Sequence, residues 1–417
     1  MPITIDDTTR CAGCMAETAE ASRCPHCGYE PGGDRNLHAL EEGTTLDARF
    51  VIGRILGKPG GYGITYLAWD KTLNKTVAIK EYLPQRLAAR KSGETAIVPN
   101  SADDASVFEE GLHAFVDEAR LLIRFTHPNI ARVRDFFQQN GTAYMVMDYY
   151  EGRSLGEHMV KKRRPLSVDE AIGLLLPILD GLEEVHGLGY IHRDIKPTNI
   201  YITAGGWPIL LDFGAARYAL GDQTESLTVM LTPGFAPVEQ YLSRGKQGPW
   251  TDVYSCAATL YYLLSGRKPQ SAIDRQDLDE LVDLHTANPN VSKGLSKVIM
   301  KALNVQQTER HQSTAAFRQA LAQFASKRAR IRTQLISTGK WVGVVIGLGL
   351  LALVALALYQ NLFHSGSEPP ARTITLKPGS KPTIEEARRS PDRRVIGPSG
   401  AETVRHELAL PPPGASD

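Results

Sequence analysis

The stretch His192-Arg193-Asp194-Ile195-Lys196-Pro197-Thr198-Asn199 sets a carboxylate, an ammonium group and a carboxamide within a few residues of one another. Asp212-Phe213-Gly214 adds a second carboxylate downstream, and Ala236-Pro237-Val238-Glu239 follows. Upstream, Val77-Ala78-Ile79-Lys80 supplies another lysine, and Asp117-Glu118-Ala119-Arg120-Leu121-Leu122 offers Glu118 as a carboxylate to hold it. These residue types suit phosphoryl transfer. That reaction needs a carboxylate to take or orient a hydroxyl proton, a lysine to meet the moving phosphoryl charge, and Asn plus Asp to hold magnesium. Each motif alone is weak; the ordered set is specific.

The elements that would position these groups are legible. Leu56-Gly57-Lys58-Pro59-Gly60-Gly61-Tyr62-Gly63-Ile64-Thr65-Tyr66 is a turn whose glycines, Gly57, Gly60, Gly61 and Gly63, would let backbone amides approach phosphate oxygens. It is not a Walker loop, since no Gly-Lys-Ser/Thr closes it, and taken alone it also reads as a plain hairpin. Short apolar or alternating runs at 50–56, 64–69, 76–80 and 143–149 predict strands. Runs at 168–186 and 251–264 predict helices. A sheet-rich half followed by a helix-rich half predicts two lobes.

With these motifs in place, residues 46–325, about two thirds of the chain, resemble a eukaryotic-like protein kinase domain. The resemblance implies an α+β, bilobal protein kinase fold with a β-rich N-lobe and an α-helical C-lobe. It implies an enzyme using ATP and magnesium. It makes Asp194 the catalytic base and Lys196 the group that steadies the γ-phosphate. Asn199 and Asp212 would hold magnesium. Lys80 and Glu118 would form the ion pair of the active state. Met147 falls at the gatekeeper position, and Asp148 to Tyr150 at the hinge that contacts adenine. Glu239 is expected to pair with Arg310, and Asp252 to brace the catalytic loop. Gly-Gly-Tyr-Gly-Ile-Thr-Tyr, Val-Ala-Ile-Lys-Glu-Tyr-Leu-Pro and Thr-Pro-Gly-Phe-Ala-Pro-Val-Glu-Gln-Tyr are similar to bacterial serine/threonine kinases, and Lys196 two residues after Asp194 fits that specificity. In kinases of this wording the arginine before the base, here Arg193, binds a phosphate on the activation segment. Thr228 is the better acceptor, with Ser226 and Thr224 behind it. The Thr232 hydroxyl is expected to hydrogen-bond Asp194 or Lys196. The turn is one residue longer than usual, with Pro59 the extra, and the stretch between Lys80 and Glu118 reads as an inserted surface loop. A pseudokinase scaffold and a small-molecule kinase are the rival readings. The full set of Lys80, Asp194, Asn199 and Asp212 opposes the first, and the long segment from Asp212 to Glu239 opposes the second.

Four of the five cysteines lie at Cys11-x-x-Cys14 and Cys24-x-x-Cys27, the pattern of two knuckles that bring four thiolates to one structural zinc. The Cys24-Pro25-His26-Cys27-Gly28 turn resembles a zinc ribbon. Residues 1–30 are therefore expected to form a small module whose folding energy comes from the metal, and residues 31–45 a linker. Residues 1–10 carry no apolar leader, so this part is expected in a reducing cytoplasm.

Lys and Arg number 47 against 46 for Asp and Glu, a net charge of +1, so no overall field points to nucleic acid. A basic stretch at 326–340 precedes an uncharged run at 341–359, which as a helix would reach about 28 Å, near the thickness of a bilayer core. Five basic residues before the run outnumber those just after it, so a single-pass inner-membrane protein with a cytoplasmic kinase domain is expected. Gly343 and Gly347 allow a homodimer through the span. Residues 360–417, rich in Pro, Ser, Gly and charge, read as a disordered tail outside the cytoplasm.

Overall fold

The computed structural model describes residues 10–18, 23–30, 36–57, 63–91, 93–213, 231–242 and 245–326. Gly60, Gly61, Thr224, Ser226, Thr228, the run at 341–359 and the tail at 360–417 lie outside the described residues.

The N-terminal part is built on a six-stranded antiparallel sheet of order β1-β2-β3-β4-β8-β7. Its strands are β1 (Thr45–Leu46), β2 (Phe50–Ile55), β3 (Gly63–Asp70), β4 (Lys75–Tyr82), β7 (Val133–Gln139) and β8 (Thr142–Asp148). The predicted strands at 50–56, 64–69, 76–80 and 143–149 are all present, each within two residues of its expected ends. Side chains alternate along a strand, so Lys80 shares a face of β4 with Tyr82. The Tyr82 ring packs on Phe108 and Phe115 at centroid distances of 5.2 and 5.7 Å. Both belong to α1 (Ala102–Leu122), so this face of β4 is turned toward that helix. The α1 stripe Phe108, Phe115, Glu118, Ala119 and Leu122 follows helical spacing, and Glu118 is its one charged member. Ser101 caps the helix by accepting from the Asp104 amide.

The insert between Lys80 and Glu118 is not the plain loop that its Pro and Gly content predicts. It holds a small hairpin, β5 (Ala88–Arg90) and β6 (Ile97–Pro99), and the Arg90 side chain is buried against Glu81. The Glu81 carboxylate also accepts from the Tyr66 hydroxyl at 2.8 Å, and that hydroxyl accepts from the Leu40 amide at 3.0 Å. The network therefore ties the insert and part of the expected linker to the sheet.

The C-terminal part is helical: α2 (Leu155–Lys162), α3 (Val168–Gly187), α4 (Pro249–Ser265), α5 (Lys293–Ala302) and α6 (Thr314–Ala322). A capping box of Ser167 and Glu170 starts α3. Pro249 in the first turn and Gly266, at φ 71°, fix the ends of α4, which is buried along most of its length. A small sheet of β9 (Gly152–Ser154), β10 (Ile200–Thr203) and β11 (Pro208–Leu210) frames the loop from His192 to Asn199. The two parts make the bilobal arrangement that the resemblance implies.

Candidate active site

Asp194 and its neighbours form a compact polar cluster. The Asp194 Oδ2 lies 3.0 Å from Lys196 Nζ and accepts from Asn199 Nδ2 at 2.8 Å. The same Asn199 nitrogen donates to the Asp194 carbonyl at 2.8 Å. With its nitrogen so committed, the Asn199 carboxamide presents Oδ1 as the remaining donor atom for a hard cation. Lys196 Nζ also donates to Thr232 Oγ1 at 3.3 Å, so the activation-segment hydroxyl and the loop lysine meet.

This loop is held from below by one carboxylate. Asp252, in the first turn of α4 and fully buried, accepts the backbone N–H groups of His192 and Arg193 at 2.8 and 2.9 Å. His186 Nε2 lies 2.7 Å from the same carboxylate. Burial alone would raise the Asp252 pKa, but the His186 hydrogen bond and the His192 backbone N–H outweigh it and hold the carboxyl below its usual range. His192 shares this setting. Its Nδ1 accepts from the Asp194 amide at 3.3 Å and its Nε2 reaches the Leu211 carbonyl at 3.0 Å, which fixes the neutral Nε2–H tautomer. Burial depresses its pKa further than the neighbouring carboxylates raise it. The Phe213 ring packs on His192 at 4.4 Å, linking this loop to the segment that carries Asp212.

Across the cleft, Lys80 Nζ lies 2.9 Å from Asp212 Oδ1. Burial opposes the Lys80 charge, but Asp212, Glu118 and Asp194 outweigh it and keep the ammonium form favoured. Lys80 and Glu118 line a cavity of about 10 Å³ with Leu122, Met145, Met147 and Phe213. That space admits at most about one water, so the region behind Met147 is closed. Asp212 sits at φ 51° and Arg193 at φ 67°, left-handed conformations that non-glycine residues seldom adopt. At the expected hinge, Asp148 is drawn to Lys75 at 3.0 Å and to Arg134 at 2.7 and 2.9 Å. The Tyr150 hydroxyl accepts from the Arg132 amide at 3.2 Å. Both side chains are thus engaged away from the cleft, which leaves the backbone to meet a base. Gly57, at φ 70°, and Gly63 flank the glycine-rich turn; a Cβ on Gly63 would stand 2.2 Å from the Glu81 carbonyl oxygen.

Glu239 and Arg310 pair at 2.7 and 3.1 Å in the buried C-lobe, as expected from the sequence. Sequence reasoning missed two glutamines. Gln247 accepts from Arg193 Nε at 3.0 Å, and Gln240 Nε2 donates to the Arg193 carbonyl at 2.7 Å. Nothing in the type or spacing of an amide side chain signals such a role.

The four N-terminal thiols converge. All four Sγ atoms lie within 4.8 Å of one another, with Cys11 to Cys27 at 3.7 Å and Cys14 to Cys24 at 3.9 Å. A tetrahedron of Zn–S bonds of about 2.3 Å requires sulfurs about 3.8 Å apart, so the residues fit zinc. The Gly13 amide donates to Cys11 Sγ at 3.3 Å. The Cys27 amide, followed by that of His26, pulls Cys24 down to about 6 against the opposing push of burial, whereas burial pushes Cys14 up to about 12. Four thiolates this close repel, and a divalent cation is what would hold all of them deprotonated.

Comparison with known proteins agrees with this geometry. The family model described as "Protein kinase domain" matches residues 50–322. The chain is similar to serine/threonine-protein kinase pkn2 of Myxococcus xanthus, 32% identical over 67% of this chain and 33% of that protein. It is also similar to serine/threonine-protein kinase D of Synechocystis, 32% identical over 67% of this chain and 53% of that one. The chain thus spans from a third to about half the length of these curated relatives. Among solved structures, the apo form of PpkA-294 is 36% identical with a TM-score of 0.62, covering 68% of this chain and 99% of that one. The kinase domain of Mycobacterium tuberculosis PknI shares the fold at 24% identity and a TM-score of 0.53, over 68% of this chain and 98% of that one. By its ordered motifs, by the cluster built around Asp194 and by these matches, the chain belongs to the protein kinase domain family.

Proposed function

We propose that this protein is a membrane-anchored bacterial serine/threonine protein kinase that transfers the γ-phosphoryl group of ATP to Ser or Thr hydroxyls of proteins, itself included. The carrying observation is the Asp194 carboxylate, gripped by Lys196 at 3.0 Å and Asn199 at 2.8 Å. So held, Asp194 accepts or orients the hydroxyl proton, and Lys196 offsets charge on the transferring group. Magnesium-ATP supplies the phosphoryl group when bound; Asn199 and Asp212 are the residues to hold the metal, and Lys80, backed by Glu118, the one to meet the phosphates. Met147 and the backbone from Asp148 to Tyr150 would contact the base. An inactive scaffold would have no need of all these groups together.

In this reading the thiol cluster of Cys11, Cys14, Cys24 and Cys27 holds one structural zinc, and residues 341–359 cross the inner membrane. The basic residues at 327–340 favour a cytoplasmic kinase domain and an outside tail. Regulation would run through Arg193. Its partner among the described residues includes the neutral amide of Gln247, and a phosphate on Thr228 would offer a dianion instead.

The test is phosphosite mapping by mass spectrometry in cells carrying either the native protein or Asp194→Asn. Sites lost in the variant, on the chain itself and on other proteins, support the reading. Identical maps would refute it.

A further inference from the structure

The thiol module does not stand apart from the catalytic domain. It is seated on β2, the strand that leads into the glycine-rich turn. The Arg54 amide donates to the Ala12 carbonyl at 2.9 Å, and Arg54 Nε donates to the Gly13 carbonyl at 2.8 Å. Gly13 is also the residue whose own N–H donates to Cys11 Sγ, so one residue joins a metal-ligand sulfur to the strand. Gly53 makes the approach possible. A Cβ there would meet the Ala12 carbonyl oxygen at 2.4 Å and Met15 Cε at 2.1 Å. Met15 itself is 2% exposed. At the module's edge the Arg10 guanidinium lies 3.6 Å over the Trp69 ring of β3, and the Tyr29 hydroxyl donates to Glu42.

The docking site coincides with an irregularity in the sheet. β1 ends opposite Phe50, and Thr44 and Gly43 close the edge only as far as Ile52. Beyond Ile52 the Ala12 carbonyl accepts from the next amide on that edge, and the β2–β3 register shifts between Ile52 and Ile55. Ile55 then pairs with Tyr66, the Leu56 amide donates to Thr65, and Gly57 begins the turn. Only Ile55 and Leu56 separate the docked Arg54 from Gly57, a length over which an extended strand transmits displacement with little slack.

We infer that Gly53 and Arg54 are positioning residues for the nucleotide: the metal-bound knuckle fixes the Ala12 and Gly13 carbonyls, these fix the end of β2, and ATP affinity depends on metal occupancy of the four-cysteine site. The inference rests on the proposed zinc site and on kinase activity, and it separates from both by its readout. A bulge left without its edge partner moves the strand end that flanks the phosphates, whereas Asp194 and Lys196 stay anchored to the other lobe. Nucleotide binding therefore changes and the transfer step does not.

The test uses the full chain. Zinc is removed with a zinc-selective chelator at excess magnesium and then restored, and ATP KM, kcat, direct nucleotide affinity and hydrogen exchange at the Leu56 amide are measured. Arg54→Ala and Gly53→Ala are carried through in parallel with elemental analysis. Expected are a roughly five- to tenfold rise in ATP KM on zinc removal, reversed by zinc, with kcat within about twofold, and faster exchange at Leu56. Arg54→Ala should reproduce the rise with zinc still bound, and chelation should add little to it. An unchanged KM on zinc removal or a fall in kcat alone would overturn the inference. No zinc in the purified chain would refute the metal site and the dependence on occupancy with it, while a raised KM in Arg54→Ala would still uphold the docking role.

Discussion

Replacing Arg310 with Met tests whether the buried pair with Glu239 supports the helical lobe. The Arg310 side chain is fully buried and its guanidinium makes five hydrogen bonds. Two reach Glu239, and the others reach the carbonyls of Asn304, Trp250 and Val305 at 2.7, 3.3 and 2.9 Å. It also lies 4.8 Å over the Tyr254 ring. Methionine keeps much of the volume and removes every donor. Glu239 would then stay buried with only the Thr251 hydroxyl, at 3.0 Å, donating to its carboxylate among the described residues. Breaking a buried pair from one side costs about 3–5 kcal/mol, and the three carbonyls add to this, so a loss of about 4–5 kcal/mol is expected. That is a large share of the roughly 5–15 kcal/mol that holds a domain together, and corresponds to about a 10 °C fall in Tm. Urea titration followed by circular dichroism measures it. Adding Glu239→Gln should cost less than the two single changes summed, by about 1–2 kcal/mol, because the second change removes the stranded charge. A loss under about 1 kcal/mol for Arg310→Met, or full additivity in the double variant, would refute the reasoning.

Asp194→Asn and Lys80→Met should each lower phosphoryl transfer by at least about a thousandfold with the circular dichroism spectrum unchanged; turnover near the native rate in either would remove that residue from the mechanism. Thr232→Ala should slow transfer even in enzyme already phosphorylated on its activation segment, since Lys196 loses its hydroxyl partner, whereas Thr232→Ser should retain most activity; equal rates in all three forms would count against the contact. His192 is held neutral with a depressed pKa, so the unfolded chain takes up a proton first as pH falls. Stability from this group is complete above about pH 6.5 and declines below it, and a denaturation series from pH 7.5 to 5 should show that decline shrinking in His192→Gln. A reporter fused after Asp417 should lie outside the inner membrane and one before Met1 inside; both on one side would exclude a single crossing at 341–359.

The motif residues were readable because each is a scarce type in a fixed order: Lys80, Glu118, Asp194, Asn199 and Asp212 could be named before any contact was known. The pairing of Glu239 with Arg310 was implied by the resemblance, and the structure shows them bonded. The strands and long helices followed from periodicity. What escaped was set by backbone approach. Gly53 is one glycine among 37, and only the Ala12 carbonyl beside it explains why a side chain is absent there. The insert reads as a surface loop, and nothing in it signals that Arg90 is buried against Glu81, nine residues away. Residues 36–44, read as a linker, are packed because Leu40 and the Tyr66 hydroxyl meet, a contact between segments 26 residues apart.

Asp252 grips the catalytic loop through the amides of residues 192 and 193, and every amino acid except proline carries such an amide. These two bonds are therefore made without either side chain. A descendant of this chain could exchange Arg193 for another residue that accepts its φ of 67°, and so rewire or discard the proposed response to phosphorylation, while Asp194 stayed where the reaction needs it. Control and chemistry are adjacent in the sequence yet separately inheritable, because one is written in side chains and the other is moored by the main chain.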